Sequence, residues 1–264
     1  MKYFLSTLVA ILLMGCDLHM DSVYLGRSES ALLGDVDAGN VEAVKAYLDN
    51  GGNVNLQDEP GNTPLHRAVN ANWKGSHLEM VKLLIERGAN VNAIDDIHYT
   101  PLHQASHAAT AALLIEAGAR VNARTQGTGE TLLFSAAWGA AQGAEKSYQH
   151  YLDLTKLLIA KGADVNVKLR SGGERLRASS GIEEKPYHEK TGDTPLHEVA
   201  RSYSEKHAIV LCELLVQQGA NINETNILAH TPLDEALANQ RNQTADFLRK
   251  LGAETGEDLQ AKVE

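Results

Sequence analysis

One short string keeps returning along this chain. Thr63-Pro64-Leu65-His66, Thr100-Pro101-Leu102-His103 and Thr194-Pro195-Leu196-His197 are near-copies, and Thr131-Leu132-Leu133-Phe134 and Thr231-Pro232-Leu233-Asp234 are looser versions. A second string alternates with it: Gly51-Gly52-Asn53-Val54-Asn55, Gly88-Ala89-Asn90-Val91-Asn92, Gly118-Ala119-Arg120-Val121-Asn122, Gly162-Ala163-Asp164-Val165-Asn166 and Gly219-Ala220-Asn221-Ile222-Asn223. Gly252-Ala253 closes the series. Self-similarity of this kind restricts the fold more than any composition can. Each unit is too small to bury its own apolar face, so neighbouring units must stack.

The residues of the unit have local reasons. Pro in a first helical turn forfeits no needed hydrogen bond, and Thr before it can cap the helix through its hydroxyl. The run Glu79-Met80-Val81-Lys82-Leu83-Leu84-Ile85-Glu86 is apolar at helical spacing. The Gly after such a run supplies a left-handed end that a β-carbon would strain. Together these strings resemble the ankyrin repeat, a unit of about 33 residues with a TPLHxA signature. The resemblance covers about Ser30 to Thr255 and implies an all-α, ankyrin-repeat solenoid of about six helix-turn-helix units with hairpin fingers. It also implies that His66, His103 and His197 bond to the Thr and to backbone as framework, not as catalysts.

Departures from the regular length mark where the array is irregular. The spacing from Ser30 to Gly51 and from Thr231 to Gly252 is the family's own. The second and fifth units carry extra residues near Asn72-Trp73-Lys74-Gly75 and Tyr203-Ser204-Glu205-Lys206. The third is shortened through Ala108-Ala109-Thr110, and the fourth is lengthened around Gly143-Ala144-Glu145-Lys146-Ser147-Tyr148-Gln149-His150. A finger insertion is expected at about 168–190, mixing Arg170, Arg175, Arg177 and Lys185 with Glu174, Glu183 and Glu184. Insertions in repeat arrays map to loops, often on a binding face. Residues 256–264 are expected to be a C-terminal tail.

The N-terminus has a different plan. In Met1–Gly15 a single Lys precedes a mostly apolar run, the layout of a signal peptide, and too short for a span of about 20 residues. It ends at Leu13-Met14-Gly15-Cys16, which resembles a bacterial lipobox with Cys16 as the lipidated residue; Met14 departs from the small or branched residue usual there. Residues 16–29 then serve as a polar tether. Asp17 in the second mature position resembles an inner-membrane retention signal. The expected location is the cell envelope, lipid-anchored and facing the periplasm.

Composition narrows the functions. With 34 acidic against 24 basic residues the net charge is −10, the wrong sign for a chain whose main partner is nucleic acid. Cys16 and Cys212 are the only two cysteines, too few for a disulfide framework. There is no phosphate-loop string, zinc-type Cys pair, His-Glu-x-x-His or nucleophile elbow. His103 and His107 stand four apart, the spacing of a metal pair on one helix. His103 is already committed to the repeat turn, however, and no third ligand is evident, so neither a metal nor a cofactor is expected. Cys212 lies in an apolar stripe as an inert thiol.

What remains is a binding surface. Proteins of the resembled family bind through finger tips and the exposed ends of first helices. Carried onto this chain, the finger residues are Asn62, Tyr99, Glu130, Asp193 and His230, and the helix ends are Asn70, His107, Trp138 and Arg201. Tyr99, Trp138 and Arg201 lead, because Tyr, Trp and Arg are enriched at interface hot spots. The expected function is specific protein–protein binding at the membrane. One form is an immunity protein that neutralises a toxic effector such as a phospholipase. The alternative is an accessory protein to a periplasmic redox or haem enzyme such as catalase. An enzyme is the third class, open only if the 168–190 insertion or the 140–150 loop holds a site.

Overall fold

The computed structural model describes residues 29–71, 77–142, 145–170 and 192–262. Cys16, the leader and tether before it and after it, and the heart of the finger insertion lie outside the described residues. The chain divides into two compact units, residues 1–90 and 91–264.

The first unit holds two helix pairs: α1 (Glu29–Ala38) with α2 (Val41–Asp49), and α3 (Pro64–Asn70) with α4 (His77–Glu86). Leu32, Leu65, Met80 and Leu84 are fully buried between them. Burying each such side chain contributes about 1.5–3 kcal/mol. The second unit holds four further pairs. A 3-10 turn (Pro101–Gln104) precedes α5 (Ala108–Glu116), followed by α6 (Leu132–Gln142) with α7 (Glu145–Ala160). Then come α8 (Pro195–Ala200) with α9 (Glu205–Gln217), and α10 (Pro232–Ala238) with α11 (Asn242–Lys250). Leu114, Leu133, Leu154, Leu158, Leu196, Leu211 and Leu215 form the spine of that core. No strand is present among the described residues, and the architecture is the all-α ankyrin-repeat solenoid that the repeats imply.

The histidines do what the turn requires. The backbone N–H of Thr63 donates to His66 Nδ1 at 3.1 Å; Thr100 and Thr194 donate likewise to His103 and His197, at 3.0 and 3.2 Å. A ring nitrogen that accepts leaves the proton on Nε2, which in His103 and His197 faces the carbonyls of Ala123 and His230, each at 3.0 Å. In the last pair a carboxylate takes the same part, with Thr231 N–H donating to Asp234 Oδ2 at 2.8 Å.

The Asn that ends each second string fastens one repeat to the next. Asn55 Nδ2 donates to the Gly88 carbonyl and its Oδ1 accepts from Asn90 N–H within the first unit. Asn92, Asn122, Asn166 and Asn223 repeat this pair of bonds on Gly118 and Arg120, Gly162 and Asp164, Gly219 and Asn221, and Gly252 and Glu254. Asn166 makes its bonds across the insertion, so the extra chain leaves the stacking register intact.

Three segments take on detail in the fold. Within the expected C-terminal tail, Gly256–Ala261 is a helix (α12), capped by Thr255, whose Oγ1 donates to Asp258 Oδ2 at 2.7 Å. Its first residue must be glycine, since a β-carbon there would stand 1.9 Å from the Ala229 carbonyl oxygen. The finger insertion is narrower than 168–190 on its leading side. Leu169 N–H donates to the Asp193 carbonyl and Gly192 N–H to the Leu169 carbonyl, so Lys168–Arg170 belong to the finger itself. Finally, the extra residues of the fourth repeat are helical from Glu145 onward and lengthen α7 to 16 residues.

Candidate protein-binding face

Trp138 is the largest exposed side chain near the end of a first helix in the second unit. It stands near the end of α6 with 42% of its surface accessible. Its neighbour Gly139 allows close packing on α7, because a β-carbon at 139 would come 2.9 Å from the Tyr151 ring. The backbone beneath Trp138 is therefore buried while its indole is offered to solvent.

The other expected residues divide. Tyr99 is half-buried, its ring stacked on His103 with centroids 5.5 Å apart. Glu130 is half-buried and accepts from Ser135 Oγ at 2.5 Å. In the first unit Asn70 is exposed at the end of α3, and Asn62 donates its backbone N–H to Asp58 Oδ1 at 2.7 Å. His107 is not at a first-helix end, because the shortened third repeat has lost the second half of that helix. Only the 3-10 turn remains, and His107 sits at the N-terminus of α5 instead. For the same reason His103 and His107 share no helix, and no group of three or more His, Cys, Asp or Glu among the described residues is placed to hold a metal ion.

Arg201 and Asp193 are not exposed contacts. Arg201 is committed to three carboxylates: Asp193 at 2.9 Å, Glu235 at 3.1 Å, and Glu198 through Nη1. Asn226 Nδ2 donates to Asp193 Oδ1 and Glu235 Oε1, at 2.8 and 3.3 Å. His230 closes the outer edge with Nδ1 3.3 Å from Glu235 Oε1, its side chain still partly exposed. Burial alone would lower the guanidinium, but the field of Glu198, Asp193 and Glu235 reverses that and raises it further. An Arg at the helix end and an Asp before the Thr read as surface residues one at a time. Only the fold brings them together with Glu235 from the next repeat.

Apolar fingertips were not expected from the sequence. Ile227 and Leu228 occupy the turn of the last finger at 63% and 52% exposure, and Ile97 that of the third repeat's finger. Two adjacent apolar residues inside a turn were the available signal, since turns favour Gly, Pro, Asn, Asp and Ser. Tyr203 is more exposed still, at 81%, with the Arg241 guanidinium 4.4 Å from its ring centroid, a cation–π arrangement. Cys212 is buried, and burial pushes its thiol up to about 12, which makes it inert at neutral pH.

A stack of helix pairs that turns a row of fingers and helix ends outward defines a class: repeat-built scaffolds that bind other proteins. The repeats are ankyrin repeats, matched as three copies over residues 32–125 and again over 191–227. Among solved structures the chain is similar to an ankyrin-repeat domain from Acinetobacter baumannii AYE, at 23% identity over 86% of this chain and 100% of that one, with a TM-score of 0.67. It is also similar to the human ASB11 ankyrin-repeat domain, at 21% identity over 86% of this chain and 85% of that one, TM-score 0.62. A chain from the complex of the Bdellovibrio bacteriovorus predatory endopeptidase Bd0816 with immunity protein Bd3460 shares 27% identity over 85% of this chain and 99% of its own, TM-score 0.56. A search among curated proteins finds no match.

Proposed function

We propose that this chain is a lipid-anchored cell-envelope protein that works by stoichiometric capture of one protein partner, as an immunity protein against a toxic enzyme. The observation that carries the reading is a set of large exposed side chains on the second unit: Trp138 near the end of α6, Ile227 and Leu228 in the last finger turn, and Tyr203 in the connection between α8 and α9. Trp and Tyr are among the residues that carry most of the energy of a specific interface, and apolar neighbours such as Ile227 and Leu228 help to exclude water around them. Scattered apolar residues on a surface are ordinary, but Ile227 and Leu228 are adjacent in one finger turn and Ile97 lies in the turn of another. The relative drawn from the complex of an endopeptidase with an immunity protein supports the same reading, as does the lipobox-like Leu13-Met14-Gly15-Cys16.

The acidic balance favours a partner with a basic face, through faster encounter more than through final affinity. In this reading the chain carries out no bond-making step, and neutralisation follows from blocking the partner's active site. The test is genetic and quantitative. Cells lacking the protein should be killed or inhibited in mixed culture with siblings that deliver the cognate effector, and the full chain should restore survival. Restoration by a variant with Trp138→Ala and Ile227→Asp should fail, although that variant accumulates as folded protein. Equal survival with and without the gene, across effectors that include peptidases and phospholipases, would remove the immunity role.

A further inference from the structure

The array stops one finger short. From Gly88 to Thr100 and from Gly219 to Thr231 twelve positions make room for a finger, whereas Thr255 follows Gly252 by three. The stacking register nonetheless runs on. Asn223 fastens Gly252 and Glu254, Thr231 Oγ1 donates to the Glu254 carbonyl at 2.8 Å, and Gly256 N–H donates to Asp234 Oδ2 at 2.8 Å. So α12 takes the place of the first helix of a seventh repeat, and the chain has no finger to precede it.

Fingers in the second unit cover one another. The Ile97 carbonyl accepts from Gln126 N–H of the next finger at 3.3 Å, and the Thr128 carbonyl from Arg170 N–H at 2.7 Å. Leu228 is the counterpart of Ile97: its N–H donates at 3.0 Å to Asn226 Oδ1, as that of Ile97 does to Asp95 Oδ1. With no finger after it, the Leu228 carbonyl accepts no hydrogen bond among the described residues. Leu228 and Ile227 are 52% and 63% exposed, against 36% for Ile97, and Ile227 stands where the third repeat's finger has the charged Asp96. Gly256 lies against the Ala229 carbonyl of this same turn, and two exposed carboxylates, Glu257 and Asp258, follow it. Lys262 is engaged by Glu254, so the border stays acidic. We propose that a hairpin loop of the captured protein fills the place of the seventh finger. It offers a main-chain N–H to the Leu228 carbonyl, an apolar residue to Ile227 and Leu228, and a lysine or arginine to Glu257 and Asp258. Main-chain bonds combined with side-chain contacts are how extended segments dock on open edges, and this seat continues the finger-to-finger interface already built. The inference rests on the capture reading and specifies which part of the partner is held.

The probe is a phage library of disulfide-closed loops, set beside one of linear peptides, both selected on the full chain. Closed loops with a large apolar residue next to Lys or Arg should be enriched, and a synthetic copy of the best should bind the parent chain saturably. Its affinity should drop about tenfold or more in Leu228→Ser. It should drop as far when a copy of residues 53–62 replaces Glu254, which restores the twelve-position spacing and fills the seat with a polar-tipped finger of the chain's own. Circular dichroism verifies that both variants fold. Glu257→Gln should weaken the loop chiefly at low salt. Selection of no such loop, or equal affinity in the parent and both variants, would overturn the seat. A parent chain that sediments as a dimer and becomes a monomer with the added finger would give the place to a second copy, and overturn it likewise. Cells that survive no better with the gene while loop selection succeeds would remove the immunity role and leave the seat; protection with no loop selected would do the reverse.

Discussion

Arg201 Nη2 stands 2.9 Å from Asp193 Oδ2, with 5% of the arginine side chain and none of the aspartate side chain exposed. The pair joins the fifth finger to the end of its own first helix, and Glu235 extends the link to the last repeat. Removing one partner of such a cluster leaves the rest buried without compensation. Arg201→Ala should therefore lower stability by about 3–5 kcal/mol, read as a shift of the urea midpoint. Asp193→Ala should do the same. If Arg201→Ala instead weakens partner binding with its midpoint unchanged, the residue is a contact and not a keystone.

Trp138→Ala should behave in the opposite way. The indole is 42% exposed and an anchor of its type costs about 2 kcal/mol or more when truncated at an interface centre. Affinity for the captured partner should fall at least about thirtyfold, with little change in Tm. A large stability loss at unaltered affinity would place Trp138 in the core.

His197 gives the fold an acid limit. The ring is buried, and burial holds its pKa below the ordinary histidine value despite the nearby Asp193 carboxylate. It accepts from Thr194 N–H, which only a neutral ring can do. A depressed histidine in the folded state means the unfolded chain binds the proton first. Stability is therefore full above the unfolded value, about 6.5, and declines as pH falls from there toward the folded value. Denaturation midpoints measured between pH 7.5 and 5 should fall, and His197→Gln should flatten that slope. An unchanged slope in His197→Gln would assign the acid sensitivity elsewhere.

Two finger turns carry backbone strain that glycine would relieve. Gly61 and Gly192 take φ of 80° and 85° in their fingers, while the corresponding His98 and Ala229 are held at 59°. A side chain in the left-handed region costs about 1–2 kcal/mol, offset in part by the greater freedom glycine gives the unfolded chain. Ala229→Gly should raise stability by about 0.5–1 kcal/mol in urea denaturation. A loss of stability would show that the methyl group packs usefully.

The repeats were legible because each depends on short-range chemistry: a capping Thr, a Pro in the first turn, a Gly at a helix end. Even the boundaries of the six pairs follow from Thr and Gly positions. What depends on two repeats at once was not legible. Arg201 and Asp193 look like surface residues until Glu198, Glu235 and Asn226 surround them. His107 lost its place on a helix because shortening the third repeat removed the second half of its first helix, an outcome that spacing alone could not choose over a shorter connection. His150 was part of a loop in the sequence reading, and only the added turns of α7 carry it to His107.

In the proposed reading, Cys16 sets where the protein works. The apolar run before it and the Gly15-Cys16 junction predict cleavage and acylation, and more than one acyl chain on a single residue suffices for stable membrane residence where one chain does not. In cells fed a labelled fatty acid, the parent chain should take up label and sediment with membranes. Cys16→Ala should lose the label and leave the membrane fraction, or persist as an unprocessed precursor of higher mass. The folded repeats should be unaffected, because residue 16 precedes α1 by more than a dozen positions, and capture of the partner in detergent extract should be retained. Protection of cells should nonetheless fall, since an untethered inhibitor is diluted away from the surface its partner attacks. Unaltered sedimentation of Cys16→Ala would remove the lipid anchor and leave the binding face standing on its own.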